Sequence, residues 1–224
     1  MVETLSKYSQ KKSGTKILAI SPHPDDIEFG CGGTLLRYGR AGSELYQLIL
    51  TDGCVGGDPV MRKREQTKAS QVLGVKRVFW AGYHDTELVD GADLIRKIEK
   101  VLNVVHPEVV LVNYPEDSHQ DHRVAALAVI AATRNIKEVL FYESPTSMHF
   151  EPDIFVDITD FLDEKVKLLE LHASQIKKTN IDNLKITEIA KAYATFRGVQ
   201  GRVRHAEGFR GLRVLRSVQD RMCL

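Results

Sequence analysis

Two short clusters of histidine and aspartate carry the residue types most able to do chemistry in this chain. The clusters are His23-Pro24-Asp25-Asp26 and His119-Gln120-Asp121-His122. A catalytic zinc ion takes three protein ligands from histidine, aspartate or glutamate and keeps one position for water. His23, His122 and one aspartate of the first cluster supply such a set, and spacing alone leaves open whether Asp25 or Asp26 binds the metal. The other carboxylate would be the general base of a hydrolase.

The same residues also have a purely structural interpretation. Carboxylates that precede a helix often cap it, so Asp26 could cap a helix beginning near Ile27, and Asp121 one beginning at His122. For either cluster alone, this interpretation is as good as a metal site. A metal becomes the better explanation when the fold brings both clusters to one edge.

Alternating strand and helix signals predict such an edge. Five short apolar runs predict strands at residues 16–20, 45–50, 75–80, 109–112 and 139–142. Helical patterns lie between them at residues 30–42, 61–73, 90–103 and 123–133. This alternation is typical of βαβ units, and it predicts an α/β fold with a mostly parallel sheet and helices on both faces.

Each predicted strand is followed by polar residues. The two clusters follow the first and fourth strands, while Asp52 follows the second and His84-Asp85 the third. Because parallel strands place their carboxyl ends at one edge, these residues are expected to share one rim, where ligands bind in open α/β sheets. The predicted site therefore lies on this rim.

The pattern changes after Tyr142. Residues 154–158 predict an edge strand, and residues 160–172 and 183–196 predict two helices. The chain from Gly198 onward is rich in glycine and arginine. We expect residues 151–224 to cap the same domain, so that residues 1–224 form one domain behind a polar tail at residues 1–15.

Composition excludes several classes of partner. The 224 residues include 31 basic and 30 acidic side chains, with a net charge of +1, which favours neither nucleic acid nor a membrane surface. The N-terminal residues have no apolar core of a signal peptide, and no apolar run is long enough to span a bilayer. The three cysteines form no CxxC pair. We therefore expect a cytoplasmic protein.

Glycines, cysteines and C-terminal arginines suggest three other functions for this chain. Gly30-Cys31-Gly32-Gly33 could suggest a nucleotide site, but the GxGxxG spacing is absent and nearby carboxylates would repel a pyrophosphate. A nucleophilic cysteine at Cys31 or Cys54 is conceivable. The arginines between residues 197 and 216 could bind a phosphate on the substrate, although a solvated basic face is the simpler explanation.

The segment from Pro22 to Gly33 reads PHPDDIEFGCGG, and it resembles the signature of the LmbE/PIG-L family of zinc-dependent N-deacetylases. Further similarity, in the same order along the chain, lies at Thr51-Asp52-Gly53, Arg62 with Glu65, Leu73-Gly74, His119-Gln120-Asp121-His122, His172-Ala173-Ser174-Gln175 and Ala206-Glu207-Gly208-Phe209. The resemblance implies a Rossmann-like fold and removal of an acetyl group from an N-acetylglucosamine-type sugar.

The resemblance also implies roles for individual residues. It implies one zinc ion per chain with three ligands, His23, Asp26 and His122. Asp25 would be the general base and His119 would stabilise the oxyanion. Asp121 would orient or charge a histidine.

The expected partner is a small amino-sugar substrate, and a homo-oligomer is a weaker expectation. The candidate substrate-binding residues are Arg62, Glu28 and Asp52. Two alternatives to a simple deacetylase stay open at this point. One is an amidase that acts on a larger acyl group or a thiol-sugar conjugate, and the other is a sugar-binding protein without activity.

Overall fold

The structure, a computed structural model, describes residues 14–215. Its helices and strands are β1 (Lys16–Ser21), α1 (Asp26–Arg40), β2 (Glu44–Thr51), α2 (Pro59–Leu73), β3 (Arg77–Tyr83), α3 (Ala92–Val105), β4 (Val109–Asn113), α4 (Gln120–Ala132), β5 (Glu138–Tyr142), β6 (Ile154–Asp157), α5 (Leu162–Glu170), α6 (Ile186–Gly201) and β7 (Ala206–Arg213). The predicted alternation of strand and helix is confirmed for the first nine of these elements.

The sheet has seven strands in the order β3-β2-β1-β4-β5-β7-β6. Strands β1 to β5 are parallel, whereas β7 runs antiparallel to both β5 and β6. The predicted α/β class with a mostly parallel sheet is confirmed. From β1 the chain builds outward to β3 and then returns to the other side of β1 with β4, so the strand order reverses between β1 and β4. Ligand sites of open α/β sheets lie at such a switch point.

Apolar side chains cover both faces of the sheet because successive residues of a strand point to opposite sides. In β1, Leu18 and Ile20 pack with α3 and α4, while Ile17 and Ala19 pack with α1 and α5. All four side chains are at most 1% exposed. The two helical layers therefore hold β1 and β4 rigidly at the centre, where the candidate site begins.

Helix α1 begins four residues earlier than predicted, at Asp26 instead of residue 30. The glycines that suggested a start near Gly30 lie inside the helix, because the helix packs closely on the sheet. A Cβ atom at Gly30 would lie 2.0 Å from Cδ2 of Tyr142. Helix α2 ends as predicted, with Gly74 in the left-handed conformation at φ 72°.

The C-terminal region joins the sheet. The predicted edge strand is present as β6, but the glycine- and arginine-rich segment after Gly198 also contains a strand, β7, which the sequence analysis missed. The organisation of residues 1–224 as one domain stays a prediction, since residues 1–13 and 216–224 lie outside the described range. Within residues 14–215, no helix combines the length and the apolar character needed to cross a bilayer.

Candidate active site

The two histidine–aspartate clusters meet at the middle of the sheet's carboxyl edge. His23 follows β1, and His122 lies in the first turn of α4, which follows β4; the two strands are hydrogen-bonded neighbours. The ring centroids of His23 and His122 are 5.4 Å apart. Both rings line a cleft of about 450 Å³. We refer to four residues of this cleft as the central cluster: His23, Asp26, His119 and His122.

The central cluster offers a converging set of donor atoms. Oδ2 of Asp26 is 3.2 Å from Nδ1 of His23, and its Oδ1 is 3.4 Å from Nε2 of His122. One ring nitrogen from each of His23, His119 and His122 also lies within 4.8 Å of the others. Imidazole nitrogens and carboxylate oxygens are the donors that zinc takes in catalytic sites. The residues therefore fit a zinc ion, with either Asp26 or His119 as the third ligand.

Carboxylates hold the far side of both buried rings. Nδ1 of His122 is 3.0 Å from Oδ2 of Asp117. Nε2 of His23 is 3.0 Å from Oδ1 of Asp85 and 3.2 Å from Oδ2 of Asp121. Such carboxylate–histidine pairs fix the ring and the nitrogen that faces a metal. No role was predicted for Asp117, although its position after the fourth predicted strand places it on the same rim as the other candidate residues.

The two rings lie in a strongly negative environment. Burial alone would lower the pKa of His122, but Asp26 and Asp117 outweigh it and raise this pKa to about 9. Burial also lowers the pKa of His23. Hydrogen bonds to Asp121, Asp26 and Asp85 outweigh this effect and raise the pKa well above its usual value. This environment favours a cation at the rings, whether a proton or a metal ion.

Asp25 is held beside the central cluster in a strained conformation. It is the residue before α1 and has a φ of 93°, which a non-glycine residue rarely adopts. Its backbone N–H donates to Oε1 of Gln66 at 3.1 Å, and its Oδ1 is 3.2 Å from Nη2 of Arg62. Burial raises the pKa of Asp25 to about 6, against the opposing charge of Arg62. A carboxyl group with this pKa can exchange protons near neutral pH.

Helix capping does not explain the aspartates at the start of α1, nor Asp121 at the start of α4. Neither Asp25 nor Asp26 makes a side-chain cap to α1. At α4 the capping residue is His119, whose Nδ1 accepts the backbone N–H of Asp121 at 3.2 Å. This bond leaves Nε2 of His119 as the nitrogen that carries the ring proton. Burial and the neighbouring His23 and His122 lower the pKa of His119.

Arg62 lies in the cleft wall, but its guanidinium is engaged with the protein. The side chain is buried, and Nη1 donates to the carbonyl of Gly53 at 3.1 Å while Nη2 donates to the carbonyl of Pro24 and contacts Asp25. Asp121 contacts His23 and accepts the backbone N–H of Thr86 at 2.8 Å. The histidine ring that the Asp121 carboxylate contacts is therefore that of His23.

Two predicted substrate-binding residues lie outside the cleft. Glu28 is 0% exposed, and its carboxylate accepts hydrogen bonds from Gln47 and Gln66 between α1 and β2. Asp52 lines a neighbouring cavity between α2 and β3 instead, and its carboxylate contacts His84 at 2.8 Å. Direct substrate contact stays a prediction for both residues; the side chain of Glu28 faces the protein interior, and the carboxylate of Asp52 contacts His84.

The rest of the cleft wall includes His172 and Gln175, from the His172-Ala173-Ser174-Gln175 motif, and residues for which no role was predicted. An apolar side is formed by Phe29, Leu169, Ile186 and Ile189. Lys178 and Asn180, in the segment between α5 and α6, also line the cleft. No arginine of residues 197–213 lines the cleft, so the described part of the tail does not supply the phosphate contacts considered above. Cys31 is fully buried in the apolar core, which excludes it as a nucleophile.

The chain is similar to known proteins along most of its length. A family model described as PIG-L, GlcNAc-PI de-N-acetylase, matches residues 18–133. Diacetylchitobiose deacetylase of Thermococcus kodakarensis is 29% identical, over 87% of this chain and 82% of the relative. A probable N-acetyl-alpha-D-glucosaminyl L-malate deacetylase 2 of Bacillus anthracis is 28% identical, over 81% and 88%. The crystal structure of N,N'-diacetylchitobiose deacetylase from Pyrococcus horikoshii has a TM-score of 0.79 and 29% identity, covering 88% of this chain and 84% of that one.

Proposed function

Because the chain belongs to the PIG-L family, we propose that it hydrolyses the N-acetyl amide of a small amino sugar, with zinc at the central cluster. It is an N-deacetylase, and both relatives named above are deacetylases of N-acetylated sugars. One observation supports the site of reaction most strongly. A single carboxylate, Asp26, reaches both buried imidazoles while the adjacent Asp25 presents a second carboxylate of raised pKa.

We propose His23, Asp26 and His122 as the ligands of one zinc ion per chain. Two features support Asp26 over His119 as the third ligand. Asp26 already contacts both other ligands, and Nδ1 of His119 is occupied by the backbone N–H of Asp121. A zinc ion held by these residues would supply a Lewis acid for the amide carbonyl and would lower the pKa of water at the site to about 7.

Asp25 acts as the proton carrier in this proposal. Its carboxylate accepts a proton from the attacking water and then delivers it to the departing amine, so that water and amide become acetate and a free amino group. Arg62 and Gln66 hold Asp25 in place through contacts at 3.2 and 3.1 Å. A positioned acid–base group of this kind contributes roughly 10²- to 10⁴-fold in rate.

His119 stabilises the negative charge that develops on the amide oxygen. Its Nε2–H is free to donate into the cleft, because Nδ1 accepts from the backbone of α4. Its ring centroid is 4.6 Å from that of His23 and 4.8 Å from that of His122, which places the donor beside the proposed ligands. One such donor is worth about 3 kcal/mol in the transition state.

Acetate release tests the proposed activity. Zinc-loaded protein is expected to release acetate from N-acetylglucosamine and from N,N'-diacetylchitobiose, and chelator-treated protein is expected to regain activity when zinc is returned. Absence of acetate from every N-acetyl sugar of a small panel, with one zinc bound per chain, would contradict the proposal. A sugar that binds without turnover would favour the non-catalytic alternative.

A second candidate is hydrolysis of a larger acyl group, and the apolar wall favours it. Phe29, Leu169 and Ile189 give the cleft an apolar side beside the central cluster. Burial of one more methylene there would be worth about 0.8 kcal/mol. A higher kcat/KM for N-butyrylglucosamine than for N-acetylglucosamine would select this candidate.

The cytoplasmic location and the homo-oligomer stay proposals. An exposed free thiol at Cys54 is typical of a reducing compartment and supports the cytoplasmic location. Light scattering of the purified chain measures whether it forms a homo-oligomer. Binding to vesicles or to polynucleotides, which we do not expect from the balanced charge, is measured in the same preparation.

A further inference from the structure

A second group of metal-binding side chains lies beside the cleft, at the carboxyl ends of β2 and β3 and apart from the central cluster. We call it the outer cluster, and it consists of Asp52, Cys54 and His84. Asp52 follows β2, Cys54 begins the short 3-10 turn Cys54–Gly56, and His84 follows β3. Because β2 and β3 are paired in parallel, their carboxyl ends bring these three residues together.

The outer cluster has the geometry of a metal site with three ligands. One ligand atom from each residue lies within 4.8 Å of the other two. Oδ2 of Asp52 is 2.8 Å from Nδ1 of His84. Its Oδ1 accepts the backbone N–H of Cys54 at 3.1 Å and that of Asp85 at 3.3 Å. Two backbone donors therefore orient the carboxylate, and its second oxygen stays directed at the imidazole.

A catalytic cysteine does not explain this arrangement. A nucleophilic thiolate needs the imidazole beside the sulfur. Here Asp52 lies in the middle and accepts from both neighbours, and its hydrogen bond raises the pKa of the Cys54 thiol. A thiol with a raised pKa is a poor nucleophile. A bound cation, by contrast, would replace both shared protons and use all three side chains at once.

We propose that Asp52, Cys54 and His84 form a second zinc site. Thiolate, imidazole and carboxylate are all zinc ligands, and a thiolate also disfavours magnesium and calcium. The fourth position would be open to water, since the side chain of His84 is 69% exposed.

The outer cluster is connected to the proposed active site. The backbone N–H of Val55, the residue after Cys54, donates to Oδ2 of Asp85 at 3.1 Å, while Oδ1 of Asp85 is 3.0 Å from His23. Val55 and Gly56 also line the cleft. A cation in the outer cluster would therefore fix one wall of the cleft as well as its own loop.

Cobalt titration of the full chain tests the second site independently of acetate release. Co²⁺ accepts the same ligands as zinc, and coordination by a thiolate gives a near-ultraviolet charge-transfer band that nitrogen and oxygen ligands do not give. We expect this band with wild type, and we expect its loss in Cys54→Ser. His84→Ala and Asp52→Asn should weaken cobalt binding at this site by at least about 10-fold.

Two control variants make the result specific. Cys223→Ser, at a position outside the described residues, should keep the band, and so should His122→Ala, whose ring lies between Asp26 and Asp117. Saturation with Co²⁺ without a thiolate band in wild type would overturn the second site. Retention of the band in Cys54→Ser, or its loss in Cys223→Ser, would also overturn it.

Discussion

The central and outer clusters use the same kinds of ligand at the ends of neighbouring strands, yet their surroundings differ. His23 and His122 are 5% and 4% exposed, and both nitrogens of each ring contact a carboxylate. One of these carboxylates is Asp26 in both cases. In the outer cluster, the side chain of His84 is 69% exposed and has one carboxylate partner. Exposed charge pairs contribute about 0–1 kcal/mol, because solvent competes for both partners.

The comparison indicates that the supporting carboxylates, more than the ligand types, distinguish a catalytic site from a surface site. Asp117 fixes His122, while Asp85 and Asp121 fix His23. The outer cluster has no such support within the described residues beyond its own Asp52. We therefore expect the central cluster to bind zinc more tightly and to carry the reaction.

The largest expected effect is on zinc affinity and acetate release, and it is seen by removing one histidine from each cluster in turn. His122→Ala should lower zinc affinity at the central cluster by more than about 100-fold, because loss of even a supporting partner costs 10- to 100-fold. Acetate release should fall with it. The matched variant His84→Ala should keep central zinc and activity. Metal analysis after dialysis and acetate release check both, and an equal fall in acetate release in the two variants would remove the distinction.

The next effect concerns His119, which the geometry also permits as a ligand. His119→Asn keeps an acceptor for the backbone N–H of Asp121, since asparagine caps helices well. It removes the Nε2–H donor, so kcat should fall by roughly 10²- to 10³-fold while zinc stays bound. Loss of zinc in this variant would instead make His119 a ligand.

A smaller effect is expected at Asp117, which contacts His122 from behind. Asp117→Asn should weaken zinc binding by about 10- to 100-fold and leave the fold intact. Glu116→Gln is the matched control, because Glu116 is the adjacent carboxylate and its side chain is 57% exposed. Competition with a chromophoric chelator measures both affinities. Equal affinities in the two variants would show that Asp117 does not support the site.

The sequence predicted the location of the central cluster well, because it depends on local order. His23 and His119 each follow an apolar run, and parallel strands bring such positions to one edge. The predicted start of α1 was wrong because the glycine-rich segment from Gly30 suggested the beginning of a helix, whereas Gly30 lies inside α1 and allows close contact with Tyr142. Strand β7 was missed because Gly208 and Gly211 hide its alternation; its partners, β5 and β6, are remote in sequence.

The supporting contacts could not be predicted from the sequence. The pairs Asp117–His122 and Asp85–His23 depend on tertiary packing, and spacing carries no signal for them. The same limit explains Glu28, which lies in the matched motif but faces Gln47 inside the protein. A motif gives the ligand types, while packing decides which side chains reach the cleft.

The smallest expected effect compares the two described cysteines. Cys54→Ser should change the free energy of unfolding by less than about 0.5 kcal/mol, since Cys54 is exposed. Cys31→Ser should cost about 1–3 kcal/mol, because Cys31 is fully buried among apolar side chains and a hydroxyl there would have no partner. Urea denaturation measures both. Similar losses would mean that the outer cluster contributes to the fold.

Zinc content and acetate release, measured on the same sample of Asp25→Asn, test the central claim most directly. The proposal gives two adjacent carboxylates different roles: Asp26 binds the metal, and Asp25 carries the proton from the water to the amine. It predicts that the central cluster keeps its zinc ion, as in wild type, with acetate release reduced by roughly 10²- to 10⁴-fold. Loss of zinc would make Asp25 a ligand, and full activity would remove it from the reaction; either result would contradict the account.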